Sequence, residues 1–489
     1  MVAEPVAGAP SCSVIVVGGG ISGLVAARSL VVEHGVPAEQ VTLLEASERV
    51  GGVLHRREIA GNPVDVGAES VLTTRPEATA LLAELGLDGE LRRPTGVPAS
   101  VWTRGALHPV PRGTLMGIPG DPSGLAGLLT PAEVERADDR GREHTPVTGD
   151  LSLGELVEER LGAAVVDRLL EPLLGGVYAG QARRLSARAC LPRVHEAASA
   201  GASLTATVAE LTAGTGGTQA SPRAATDGAP RPAPPFASLP GGLARLPEEI
   251  AEDLARRGVD LRLGVPAEAL EQTAGGWVVT TGAGERLEAE RVVVALPAPA
   301  AARLLALASP AAAEQLAGIE TASMAVVTWA YETAALPALE RSGFLVPPVD
   351  GRAIKAATFT AAKWGPVGDG TASYLRASLG RAGDAAVLDH GDDELAALAL
   401  ADVREAVALL EGAPSLPEPV ATHVQRWDDA LPQYAVGHVE RIAAVRAAVA
   451  GLPGLELAGS AYDGVGIPAC IGTARAAAAA LVAGGTMAP

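Results

Sequence analysis

Within its first 45 residues the chain sets a strand-like run, a glycine turn, a helix and an acidic residue in fixed order. That order constrains its fold more than any other feature. Residues 13–17 (SVIVV) read as a short buried strand, 21–34 as a helix and 41–45 (VTLLE) as a second strand. The turn between the first strand and the helix is Gly18-x-Gly20-x-x-Gly23, and Glu45 ends the second strand 22 positions after Gly23. A bare G-x-G-x-x-G is weak in a chain with 58 glycines. Between a strand and a helix, with the acidic residue at this distance, it is the fingerprint of a dinucleotide-binding fold. Gly18 permits the tight turn, Gly20 lets the backbone approach a pyrophosphate, and Gly23 lets the helix pack on the strand. The helix N-terminus offers unpaired N–H groups and a positive dipole end to the phosphates, and Glu45 would accept from ribose hydroxyls.

A second motif lies at the far end. Residues 459–475, GSAYDGVGIPACIGTAR, follow a strand-like LELAG (455–459) and open an alanine-rich helix from about 469 to 483. Segments 259–264, 276–281 and 291–296 carry strand signals, the last with the β-branched run of a buried parallel strand. Residues 323–331, 343–346, 354–360 and 372–379 look like strands of another sheet. Helical periodicity marks 76–92 and 152–174, with Asp150 or Ser152 as the cap of the second. Residues 212–235, rich in Gly, Pro, Ala and Thr, read as a flexible surface loop. The expected architecture is α/β. A Rossmann-type dinucleotide domain takes 1–75, 236–300 and 420–489. An interleaved α+β substrate domain takes 76–211 (a helical subdomain) and 301–419.

Composition narrows the function. The 489 residues are 48% hydrophobic and 19% charged, a globular balance with no apolar run long enough to span a bilayer. The start, MVAEPVAGAPSCS, lacks the basic and apolar regions of a signal peptide, so a cytoplasmic protein is expected, with peripheral membrane contact left open. Net charge is 38 − 57 = −19, which disfavours a nucleic-acid partner. An anionic substrate would need a local cluster of basic side chains. Three scattered cysteines, Cys12, Cys190 and Cys470, with no C-x-x-C, argue against a disulfide framework and against a metal site. No nucleophile elbow or H-E-x-x-H occurs.

Glu45-x(3)-Arg49-x-Gly51-Gly52 resembles FAD enzymes of the amine-oxidase superfamily more than NAD dehydrogenases. Segments 107–119 (LHPVPRGTLMGIP), 169–192 (LLEPLLGGVYAGQARRLSARACLP), 236–247 (FASLPGGLARLP) and the C-terminal motif resemble the protoporphyrinogen/coproporphyrinogen oxidase family. The first of these resembles its Gram-positive coproporphyrinogen III oxidase branch. The resemblance spans essentially the whole chain, departing from it at 212–235 and matching poorly over 120–150.

The resemblance implies a non-covalently bound FAD and an O₂-using six-electron oxidation of coproporphyrinogen III to coproporphyrin III. Hydrogen peroxide is released, and a downstream haem-pathway enzyme would receive the product. It implies a flavin site of Gly18, Gly19, Gly20, Ile21, Ser22 and Gly23, with Glu45, Ala46 and Val53. Gly67, Ala68, Glu69 and Ser70 continue that site, with Val265 at the adenine edge, Trp427 near the ring and Val465, Gly466 and Ile467 at the flavin N1–C2=O edge. Substrate propionates would meet Arg112, Lys363, Trp364 and Arg376. Two readings of Cys470 stay open, a small buried residue or a thioether link to the flavin. Tyr178 either lines the cavity or packs. Protoporphyrinogen IX as substrate, or a non-catalytic flavin or porphyrin carrier, are the alternatives.

Overall fold

A computed structural model describes residues 12–213, 235–412 and 415–483. The heart of the loop expected at 212–235 lies outside the described residues. The first sheet has seven strands. Cys12–Val17 pairs in parallel with Val41–Leu44 on one side and Arg286–Val294 on the other. Asp260–Arg262 and Leu455–Leu457 add further parallel pairs. These central strands are covered on both faces, which is why they read as unbroken apolar runs: Val14–Val17 are at most 2% exposed. Helices Ile21–Val32, Arg245–Arg257 and Ile467–Ala483 cover one face. Ala298–Leu305, Pro310–Ala317 and His438–Val449 cover the other. Ala267–Thr273 and Gly276–Thr281 extend the sheet antiparallel. The first of them (AEALEQT) has a single β-branched residue, Thr273 at its end, so it carries little of the signal that flags a strand.

The second sheet runs, in spatial order, Ala421–Pro432, Thr321–Glu332, Ala372–Leu379, Ile354–Phe359, Gly343–Leu345, Ser100–Thr103 and Ala106–Pro109. One face packs on helix Asp392–Val407 through Trp329, Tyr331, Phe359, Leu395 and Val403. A third core gathers Leu153, Leu156, Leu161, Leu169, Leu170 and Leu174 with Leu204 and Val208.

The cores divide the chain differently from the cuts expected at 75, 300 and 420. Helix Pro76–Glu84 buries Ala78, Leu81 and Leu82 in the first core, not in the substrate domain. The helices of 298–317 also join the first body, and strand Ala421–Pro432 joins the second sheet. Helical period does not say which core a leucine stripe meets, and the polar THVQRWDD hides a strand of largely half-exposed side chains. The helix expected over 152–174 breaks at Gly162, whose φ of 94° ends Leu153–Leu161. Ser152, not Asp150, is its cap, in a capping box with Glu155. Asp150 instead accepts from Ser186 Oγ at 2.8 Å and Gly437 N at 3.0 Å.

Candidate functional site

The glycine turn after the first strand closes backbone on backbone. A Cβ on Gly23 would lie 1.8 Å from the Gly18 carbonyl oxygen, and one on Gly19 would lie 2.8 Å from Glu45 Cβ. A Cβ on Gly20 would meet nothing within 4 Å. Gly20 therefore faces open space at the head of helix Ile21–Val32. That helix has no side-chain cap and no acidic residue in its first turn, although Ile21 and Ser22 are buried. Its N–H groups are left for an anion from outside the chain, and the residues present fit a dinucleotide pyrophosphate. Glu45 orders the turn: one carboxylate oxygen accepts Gly19 N–H at 2.7 Å, the other accepts Ser47 N–H at 2.8 Å and Ser47 Oγ at 2.7 Å. A carboxylate has about four acceptor positions, so the oxygen facing Gly19 keeps room for a ribose hydroxyl. Ala46 beside it is exposed. The Val265 N–H donates to the Glu45 carbonyl at 2.9 Å, so contact with an adenine edge would fall to the Val265 carbonyl.

The turn 66–70 is the seam between the two sheets. A Cβ on Gly67 would lie 1.9 Å from the Val53 carbonyl and 3.1 Å from the Trp427 ring. Trp427 Nε1 donates to the Val66 carbonyl at 3.1 Å, and Arg376 donates to the Gly67 carbonyl at 2.8 Å. Ala68 N–H donates to the Val53 carbonyl at 3.3 Å, while the Val53 side chain is 44% exposed. The second sheet thus docks two side chains on the segment expected beside the flavin, with Ser70 half-buried at its end.

Lys363, Trp364 and Arg376 come together as expected, but their charges do not stand free. Glu69 takes Lys363 on one carboxylate oxygen and Arg376, at 2.5 Å, on the other. Burial pushes the Glu69 carboxyl up, but the two cations outweigh it and hold it at about 2. Lys363 Nζ also lies 5.1 Å from the Trp364 ring. Trp364 and Arg376 line a small, half-open cleft with Asp65, Glu69, Arg92 and Gly242. Asp65 is pushed up to about 6 by burial, although Leu243 and Ala244 N–H groups donate to it. Arg112 is exposed, on the segment joining Ala106–Pro109 to Thr114–Leu115, and is not among the residues that line this cleft.

At the other end of the chain, helix Ile467–Ala483 also starts without an acidic residue in its first turn. It packs beside Ile21–Val32 in one core, and Ser22 Oγ lies 3.4 Å from the Cys470 carbonyl. The two glycine turns are therefore neighbours, with Gly466 bonded to Cys470 N–H at 3.0 Å and Val465 packed on the helical core. Cys470 is 6% exposed and its thiol is pushed up to about 11 by burial, the environment of a packed thiol. Tyr178 packs as well: it is 7% exposed, with its ring 5.6 Å from that of Tyr434. The sequence reading missed Tyr434, His438 and His55. His55 stands edge-on to Trp427 at 6.4 Å and is lowered to about 4 by burial and then by Arg49 and Arg57. A G-x-x-H or P-Q-Y string carries no signal of such contacts. Among the described residues no cluster of three metal-ligating side chains occurs, and no helix is long and apolar enough to cross a membrane.

The family model described as flavin containing amine oxidoreductase matches residues 21–482. The coproporphyrinogen III oxidase of Mycobacterium tuberculosis is 38% identical over 96% of this chain and 97% of its own length. That of Bacillus subtilis is 32% identical over 95% of this chain and 96% of its own. A crystal structure from Exiguobacterium sp. 255-15, assigned provisionally as a protoporphyrinogen oxidase, superposes with a TM-score of 0.80 at 31% identity. It covers 97% of this chain and 100% of that one.

Proposed function

Since this chain belongs to the flavin-containing amine oxidoreductases, we propose that it is an FAD-dependent oxidase converting coproporphyrinogen III to coproporphyrin III with release of H₂O₂. The observation that carries the reading is the pair of helix N-termini without an acidic residue in the first turn, from opposite ends of the chain, on helices that pack in one core. Bound FAD supplies the two-electron chemistry, three rounds removing six electrons from the porphyrinogen with O₂ as final acceptor.

The chain's own residues bind and orient. The N–H groups at the head of helix Ile21–Val32, from Gly20 to Gly23, take the pyrophosphate, since Gly18 and Gly19 N–H donate to the Leu44 carbonyl and to Glu45, and Glu45 takes a ribose hydroxyl through the oxygen that also holds Gly19. The N-terminus of Ile467–Ala483, entered through Val465, Gly466 and Ile467, stabilises negative charge on the ring's N1–C2=O edge. Val53, Gly67, Ala68 and Trp427 would form the wall beside the ring, joined by the Ala68 N–H to Val53 carbonyl bond and by Trp427 Nε1–H donating to the Val66 carbonyl. Arg376, Lys363 and Trp364 supply one basic and aromatic rim. With Glu69 counted, that rim carries one net positive charge rather than two. This pairing favours a second reading, protoporphyrinogen IX, which has two propionates to place instead of four.

The test is turnover in air with each porphyrinogen separately, following porphyrin fluorescence and H₂O₂ together. Coproporphyrin formation with about three H₂O₂ per porphyrin supports the reading, since each two-electron round yields one. Turnover of protoporphyrinogen IX alone moves it to the second. A yellow protein that oxidises neither is a carrier or acts on another substrate.

A further inference from the structure

Tyr434 and His438 lie outside every contact expected of the site, yet both are aimed at the turn that leads into helix Ile467–Ala483. Tyr434 is 2% exposed. Its hydroxyl donates to the Ser460 carbonyl at 2.5 Å and accepts Gly464 N–H at 2.8 Å. One oxygen thereby bridges both ends of the segment 460–464. His438, 4% exposed, stacks on the Tyr434 ring at 3.9 Å and 15°, and its Nε2 lies 3.0 Å from the Ala461 carbonyl. That partner is an acceptor only, so Nε2 carries the proton. Three hydrogen bonds from two stacked rings thus fix a five-residue turn that has no sheet ladder of its own.

The rings are themselves fixed from the helical unit. Ser186 N–H donates to the Tyr434 carbonyl at 2.7 Å, Leu185 bridges Ala435, and Asp150 accepts Gly437 N–H. Simple packing would be served by phenylalanine at 434. A buried hydroxyl with both a donor and an acceptor engaged, on one turn, does more than fill space.

We propose that the stacked Tyr434–His438 pair is the positioning device for the flavin's N1–C2=O edge, holding turn 460–464 so that the N-terminus of Ile467–Ala483 points at the ring. This rests on the flavin reading above. Dipole stabilisation falls off within the first helical turn, so a small displacement of this N-terminus weakens it. Tyr434 and His438 are positioning residues; they need not touch the flavin.

The test uses Tyr434→Phe, which keeps the stack and removes both hydroxyl bonds, and His438→Gln, which keeps a donor of similar reach. Hydrogen exchange of the Gly464 amide is read on cofactor-free protein. The midpoint potential and kcat are read on the holoenzyme. For Tyr434→Phe, Gly464 should exchange at least tenfold faster. The two-electron potential should fall by about 30 mV, the equivalent of tenfold in the reduction equilibrium. kcat should drop while KM for porphyrinogen holds. His438→Gln should retain most of each. Unchanged exchange and potential in Tyr434→Phe would overturn the proposal. A wild-type chain that takes up no FAD overturns the flavin reading and this proposal with it. That case is distinct, because the exchange data on cofactor-free protein still report whether the staple exists.

Discussion

The turn at residues 18–23 and the turn at 459–466 each lead into a helix with no acidic residue in its first turn, but they are built by different means. The first is closed by its own backbone, with Gly23 under the Gly18 carbonyl and a carboxylate from the next strand on Gly19. The second is closed by side chains from far away, Tyr434 and His438, themselves anchored on a helical unit near residue 186. The first turn is a mostly local solution, specified by its glycines and by Glu45 at the end of the next strand. The second is a tertiary one, and its glycines differ: a Cβ on Gly464 would lie 2.9 Å from Ala469 Cβ, whereas one on Gly466 would lie 3.7 Å from Pro468 Cδ.

The largest effect that separates the two comes from adding one methyl group to each. Gly23→Ala drives Cβ to 1.8 Å from a backbone oxygen that cannot retreat. Loss of more than about 4 kcal/mol is expected, seen as a collapsed denaturation midpoint and absent flavin absorbance. Gly20→Ala sharpens the point, since its Cβ enters open space and its φ of −70° suits alanine. Cofactor-free stability should stay within about 1 kcal/mol of wild type, while FAD affinity falls tenfold or more. Equal damage from both would mean that Gly20 does not face the cofactor.

Acid should open the second turn before the seam at Glu69. His438 is lowered to about 4, first by burial, against its bond to the Ala461 carbonyl; Arg441 adds to the lowering and Asp150 opposes it. Its folded value lies below its unfolded 6.5, so the folded state binds fewer protons between them. The stability it confers is present above about 6.5 and is lost as pH falls toward 4, by about 3 kcal/mol. Glu69 behaves likewise in a lower window, with stability present above 4.5 and lost toward 2. Gly464 protection in wild type, taken relative to the intrinsic exchange rate at each pH, should therefore fall between pH 6.5 and 4, and His438→Gln should flatten that slope. Glu69→Gln should cost about 3 kcal/mol at pH 7 and remove only the lower-pH dependence. A Gly464 slope that persists in His438→Gln would assign the acid sensitivity to another group.

The smallest change tests the looser packing at Gly466, the last residue of the second turn. Gly466→Ala, with its nearest contact at ordinary van der Waals distance, should leave the denaturation midpoint within about 0.5 kcal/mol. A loss comparable to that of Gly23→Ala would show that both turns are closed equally tightly.

Much of the site was legible because its signals are local. The strand–glycine–helix unit, Glu45 and the C-terminal helix stand where their spacing places them. Lys363, Trp364 and Arg376 were found as a group, but Glu69, read as a flavin contact, turned out to hold the two cations. Strand Ala421–Pro432 was absent from the reading because its half-exposed, polar sequence has no clean alternation, and Tyr434 and His438 were missed with it.

The sequence alone determined the α/β class, the first helix N-terminus and its acidic partner, because glycine geometry and buried parallel strands leave marks within a few dozen residues. Only the tertiary structure decided which core each helix joined, which carboxylate met which cation, and what holds the second turn. Those contacts join residues tens to hundreds of positions apart. Their strength comes from burial and from a hydroxyl or carboxylate arriving at one particular backbone atom, which spacing along a chain does not encode.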